Sequence, residues 1–198
     1  MRSIRPILLT GVILLLTIVP GMAEQEEMSA AEQACLLAMT PGENHEFLAA
    51  FAGNWHYSGR YWESASAEPV AFGGTSESEV ILGGRYLLER VTSEIPGGAL
   101  FEGFGYLAFN NAAGEFEHTW IDNMSTTLGY ATGELDDSGR ILTMRGEFID
   151  PATGHEGRAR SVTRCLDEDR RTLEVWTSVA GEKEWKVMEF EYVRKAGA

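Results

Sequence analysis

Gly53-Asn54-Trp55 begins a series of glycine-punctuated, β-type segments, and Tyr192-Val193-Arg194 ends the last of them. Between these marks nearly every stretch reads as strand or tight turn. Alternating apolar and polar residues place strands at 54–63, 74–82, 85–94, 100–109, 115–123, 127–135, 140–149, 156–166, 171–180 and 184–194. The separators are turn-type residues, among them Gly73-Gly74, Gly83-Gly84, Asn110-Asn111, Asp136 to Gly139, Pro151 to Gly154 and Asp167 to Asp169. Links this short join neighbouring antiparallel strands. The expected fold class is therefore all-β, a single antiparallel up-and-down barrel of about ten strands, a size that ordinarily encloses space.

Upstream of the barrel the pattern changes. Arg2 and Arg5 form a basic head, Ile7 to Val19 is an apolar run, and Gly21 and Ala23 are small residues at the spacing signal peptidase reads. Residues 1–23 are thus expected to be a signal peptide cleaved near Ala23, since a membrane-spanning helix needs about 20 apolar residues. The expected location is periplasmic or secreted, with no stable membrane anchor after cleavage. Residues 24–43 read as a helical segment, with a capping box at Ser29 to Glu32 and a stop at Pro41-Gly42. The barrel domain, 44–198, starts with a second short helix capped by Asn44 and carrying Phe47, Leu48 and Phe51 at core-facing spacing.

Charge narrows the partners. The chain carries a formal net charge of −14, and loss of Arg2 and Arg5 with the leader leaves fourteen basic residues against thirty acidic ones, a net of −16. Such a surface repels phosphate backbones, which excludes nucleic acid as a partner class. Cys35 and Cys165 are expected to pair in an oxidising compartment. No phosphate-cradling glycine loop, paired-cysteine metal spacing or His-Glu-x-x-His motif occurs, so neither a metal site nor a cofactor is expected.

Gly53-x-Trp55 after a short helix, with a basic residue ending the last strand, resembles the signature of the calycin superfamily, which includes the lipocalins. The resemblance implies that Arg194 covers Trp55 and closes one barrel end, a structural contact. A longer string is similar to a bacterial family of calycin-like domains with no established activity. It comprises His45, Gly53-Asn54-Trp55, Leu82 to Leu87, Phe101-Glu102-Gly103, Trp120-Ile121-Asp122, Gly146-Glu147, Asp150-Pro151 and Lys186 to Arg194. At Phe109-Asn110 the chain departs from that family's usual tyrosine and aspartate, which argues against a carboxylate function at position 110.

Strand parity sorts the polar residues. Phe116, His118, Trp120 and Asp122 share the face expected to line the lumen. His118 and Asp122 lie about 13 Å apart on an extended strand and cannot hydrogen-bond directly. Lys186, Met188, Phe190, Tyr192 and Arg194 share a face that the calycin comparison places inside with Trp55, and Arg85 with Leu87 is a further inward pair. Arg85 could clamp a ligand carboxylate or pair with Glu89 or Asp122. His45 is expected to plug one barrel end, kept neutral by the helix dipole.

The functional expectation is a binding module for a small apolar or amphipathic molecule, with Arg85, His118, Trp120, Asp122, Lys186 and Tyr192 lining the site. By analogy with haem-carrying calycins, His118 is the residue that could ligate haem. Two alternatives stand beside this reading: an enzyme using the lumen for acid–base chemistry, and an interaction protein whose lumen is packed solid. The sequence assigns no catalytic residue.

Overall fold

A computed structural model describes residues 28–95 and 98–196. The expected signal peptide and its cleavage site lie outside the described residues. No helix among the described residues is long and apolar enough to cross a membrane.

Two short helices, α1 (Ala30–Met39) and α2 (Glu43–Ala49), precede ten strands. The strands are β1 (Gly53–Tyr61), β2 (Val70–Ile81), β3 (Tyr86–Glu94), β4 (Leu100–Asn110), β5 (Glu115–Asp122), β6 (Gly129–Leu135), β7 (Ile141–Ile149), β8 (Glu156–Cys165), β9 (Arg170–Val179) and β10 (Trp185–Arg194). Each pairs antiparallel with its sequence neighbour, and β1 pairs with β10 to close the barrel. Closure leaves no edge strand to recruit another chain.

One expected boundary was wrong. Gly73-Gly74, read as a separator, lies inside β2, which begins at Val70. Gly74 sits opposite Tyr57 of β1, and a Cβ there would meet the Tyr57 hydroxyl at 2.5 Å. The glycine makes room for the Tyr57 ring inside the barrel; it does not end the strand.

α1 starts at the expected capping box: Ser29 Oγ accepts from the Glu32 amide at 3.3 Å, and the Glu32 carboxylate accepts from the Ser29 amide at 2.9 Å. None of its residues is buried. α2 begins two residues earlier than expected, with Gly42 as its N-cap, so Asn44 is not the cap. His45 takes over that task, its Nδ1 accepting from the Gly42 amide at 3.1 Å.

α2 plugs one barrel end. Its Leu48 is fully buried, and with Phe51 it packs against Leu87, Phe116, Leu142 and Met144 from the wall. Each such side chain contributes about 1.5–3 kcal/mol by leaving water. Carbonyls just past the plug's C-terminus, where the helix offers no partner, are engaged by side chains of the barrel wall. Trp55 Nε1 donates to Phe51 O at 2.9 Å, and the Arg194 guanidinium donates to Ala50 O at 2.9 Å and to Ala52 O. The Arg194 guanidinium lies 4.1 Å from the Trp55 ring, as the calycin signature implied.

The two cysteines are free thiols, which corrects the expected disulfide. Asn111 donates to Leu37 O and Thr40 O, and Arg85 to Met39 O, which holds the end of α1 over the β2–β3 and β4–β5 turns. Cys165 ends β8, about half the circumference away, beside the plug. Burial raises the Cys165 thiol pKa, which makes it a poor nucleophile.

Candidate functional site: the barrel lumen

Beyond the plug, the barrel encloses a cavity of about 820 Å³. Its wall is largely apolar and rich in aromatic rings, with Tyr61, Phe72, Phe101, Trp120, Phe148 and Phe190 among the lining residues. The plugged end is where β1, β3, β5, β7 and β9 begin, so the mouth is ringed by the loops that follow these strands, with described residues 62–69, 95, 98–99, 123–128, 150–155 and 180–184.

β5 supplies the polar strip expected of it. His118, Trp120 and Asp122 all line the cavity. The Trp120 indole donates to Asp122 Oδ2 at 2.9 Å and stacks on the His118 ring, with centroids 6.3 Å apart and planes 28° from parallel. The indole lies flat because the facing positions of β4 are Gly103 and Gly105. A Cβ on Gly103 would run into the Trp120 six-membered ring, and one on Gly105 would stand 3.0 Å from His118 Nε2 and from Trp120.

Deeper in, towards the plug, lies a buried ion pair that the sequence reading missed. Arg171 of β9, 6% exposed, bonds Glu89 of β3 at 3.1 Å, and Ser76 Oγ donates to the same carboxylate at 2.6 Å. The Arg171 guanidinium also lies 4.8 Å from the Phe51 ring, 4.5 Å from Trp55 and 4.5 Å from Tyr192. Tyr192 lines the lumen as expected, and burial drives its hydroxyl pKa upward, so it remains a neutral phenol.

Two expected lumen cations are outside. Arg85 is exposed at the β2–β3 turn, donating to Leu82 O and Met39 O; the parity of β3 does not carry back through the turn. Lys186 is thrown outward by an irregularity between Lys186 and Met188, which reverses the parity of β10 at that point. There it bonds Glu174 at 3.2 Å and Glu189 at 2.6 Å. The partner expected for Arg85, Glu89, belongs to Arg171.

Burial lowers the pKa of His118, opposed by the Glu89 charge. His45 is also lowered, first by burial and then by the nearby Arg85, against a hydrogen bond to the Phe109 backbone. Desolvation therefore favours the neutral form of His45, the protonation state expected of it. Both rings are neutral when folded, whereas unfolded imidazoles protonate near pH 6.5. Their stabilising contribution is complete above that value and is lost as pH falls from it towards the lower folded-state values. Urea midpoints should accordingly fall between about pH 7 and pH 5. His118→Phe should flatten the profile; an unchanged slope would show that His118 does not titrate in that window.

Among the described residues, no cluster of three His, Cys, Asp or Glu side chains is placed to hold a metal ion. His118 and Asp122 do not meet: Trp120 stands between them on β5, and its indole takes the Asp122 oxygen. Asn110, where the carboxylate was lacking, caps its own turn by accepting from the Ala112 and Ala113 amides.

A closed ten-stranded antiparallel barrel, plugged by a short helix and sealed by an arginine over a tryptophan, is a lipocalin- or calycin-like barrel. The chain belongs to the DUF1579 family, "Protein of unknown function (DUF1579)", which matches residues 40–194. Among solved structures it is similar to Rv2717c from M. tuberculosis, with a TM-score of 0.60 and 14% identity over 79% of this chain and 99% of that one. It is also similar to the S-type phycobiliprotein lyase CPES from Guillardia theta, with a TM-score of 0.56 and 11% identity over 83% of this chain and 98% of that one. No curated protein matches the chain in sequence. At these identities the structural likenesses establish the fold.

Proposed function

We propose that the protein is an exported barrel that binds a small apolar or amphipathic molecule in its lumen. The observation that carries this reading is the cavity of about 820 Å³ with an aromatic wall and few polar groups. Pockets of some 300–1,000 Å³ with that lining are typical small-molecule sites. A solidly packed lumen, the interaction-protein alternative, is at odds with this volume. Acid–base catalysis needs groups converging on one reacting atom, and the His118–Trp120–Asp122 strip separates its two titratable members. The reading requires no cofactor. Export rests on the leader-like residues 1–23, and a mature N-terminus at Glu24, found by mass spectrometry of protein from the native cell envelope, would support it.

The test uses N-phenyl-1-naphthylamine, a neutral dye that fluoresces in apolar surroundings. Wild-type protein should bind it saturably. Trp120→Ala should weaken binding by up to about tenfold through loss of aromatic contact, and Arg85→Ala, outside the cavity, should leave it unchanged. Absence of saturable binding, or equal binding by folded Trp120→Ala, would defeat the lumen assignment. Native mass spectrometry of the purified protein would then identify any molecule it retains.

A further inference from the structure

We infer that the lumen selects a cationic amphiphile, with Asp122 as the counter-ion for its head group and the apolar body lying along the aromatic wall. This rests on the lumen-binding reading above and goes beyond it by assigning the charge of the ligand.

Among the described residues, Arg171 is the one lysine or arginine in the lining, and Glu89 neutralises it at 3.1 Å. Lys186 and Arg85, which would have favoured an acid, are outside. His118 is held neutral by burial. Glu147, on the outward parity of β7, has its side chain in solvent near Arg158. Among the described residues, Asp122 is therefore the charge left without a counter-ion on the lumen face. Its oxygens each accept one hydrogen bond, from the Trp120 indole at 2.9 Å and from the Met124 amide at 2.9 Å. A carboxylate has about four acceptor positions, so capacity remains for a ligand donor.

Position supports the same conclusion. Asp122 is the last residue of β5, at the mouth, with Trp120 and then His118 below it on the same face. A molecule entering tail-first leaves its head group at Asp122 and its body against the Trp120 indole. An indole face attracts cations, and the hydrogen bond to a carboxylate makes this ring more electron-rich. The mouth adds to the field: Glu63, Glu68, Asp150, Glu182 and Glu184 stand in its loops, against Lys183 as the single lysine or arginine among their described residues. Glu184 is itself engaged by Arg160 on the outer face. A negative rim over a low-dielectric cavity concentrates cations and repels anions.

Three probes with one tail separate charge from hydrophobicity: decyltrimethylammonium, decanol and decyl sulfate, each displacing N-phenyl-1-naphthylamine below its micelle concentration at low salt. The ammonium should compete roughly tenfold better than the sulfate, with decanol between them. Asp122→Asn should retain decanol affinity, which verifies an intact lumen, and lose most of the ammonium preference. The wild-type ranking does not depend on whether that variant folds. If decanol binds but the sulfate equals or exceeds the ammonium, the charge assignment is overturned and the lumen reading stands. An unchanged preference in folded Asp122→Asn would overturn the role of Asp122. If none of the three displaces the dye, the lumen reading itself fails.

Discussion

Arg171→Met should lower the unfolding free energy at pH 7 by up to about 3–5 kcal/mol, because it leaves the part-buried Glu89 carboxylate with no counter-charge. The hydroxyl of Ser76 still donates to that carboxylate, but one neutral hydrogen bond cannot replace a guanidinium that also faces three aromatic rings. Two further results separate this from simple loss of packing. Adding Glu89→Gln, which keeps an acceptor for Ser76, should recover most of the loss. Arg171→Lys, which keeps a cation beside Glu89, should lose less than Arg171→Met. Urea unfolding of the single and double variants would measure both, and a double variant as unstable as the single one would contradict the ion-pair account.

Trp55→Ala should cost about 3–5 kcal/mol, the range for truncating a fully buried large aromatic side chain. Trp55 is 1% exposed, and its ring lies 4.1 Å from the Arg194 guanidinium and 4.5 Å from that of Arg171. Its indole also satisfies Phe51 O of the plug. Trp55→Phe keeps much of the area and loses the donor, so its cost should fall clearly below that of the alanine variant. A thermal or urea transition within 1 kcal/mol of wild type for Trp55→Ala, a bound far under the cavity cost, would show that the plug is held by α2 packing alone.

The barrel was legible because its signals are local. Alternation and turn residues placed all ten strands, and the Gly53-x-Trp55 and Arg194 pairing was readable from its resemblance to the calycin signature. What escaped depended on contacts remote in sequence. Gly73-Gly74 looks like a turn until Tyr57 is laid across it. Lys186 shares apparent parity with Phe190 and Tyr192, and only the irregularity before Met188 turns it outward. Arg171 was hidden in the charged run Asp167 to Arg171, which reads as a solvated turn. A signal was present even so: Arg171 alternates with Leu173 and Val175, and Glu89 with Leu87 and Val91, so each is a lone charge on an apolar face. On β5 the same parity argument worked, because that strand has no irregularity and His118, Trp120 and Asp122 keep one face throughout.

The pairing of β1 with β10 has a consequence for the chain during its synthesis. Trp55 finds its partner only when Arg194 arrives, so the seam cannot close until the whole span from β1 to β10 has been synthesised. Non-local pairing of this kind makes folding slow. If residues 1–23 direct export as proposed, a chain that stays open this long remains in the threadable state that a translocation channel requires.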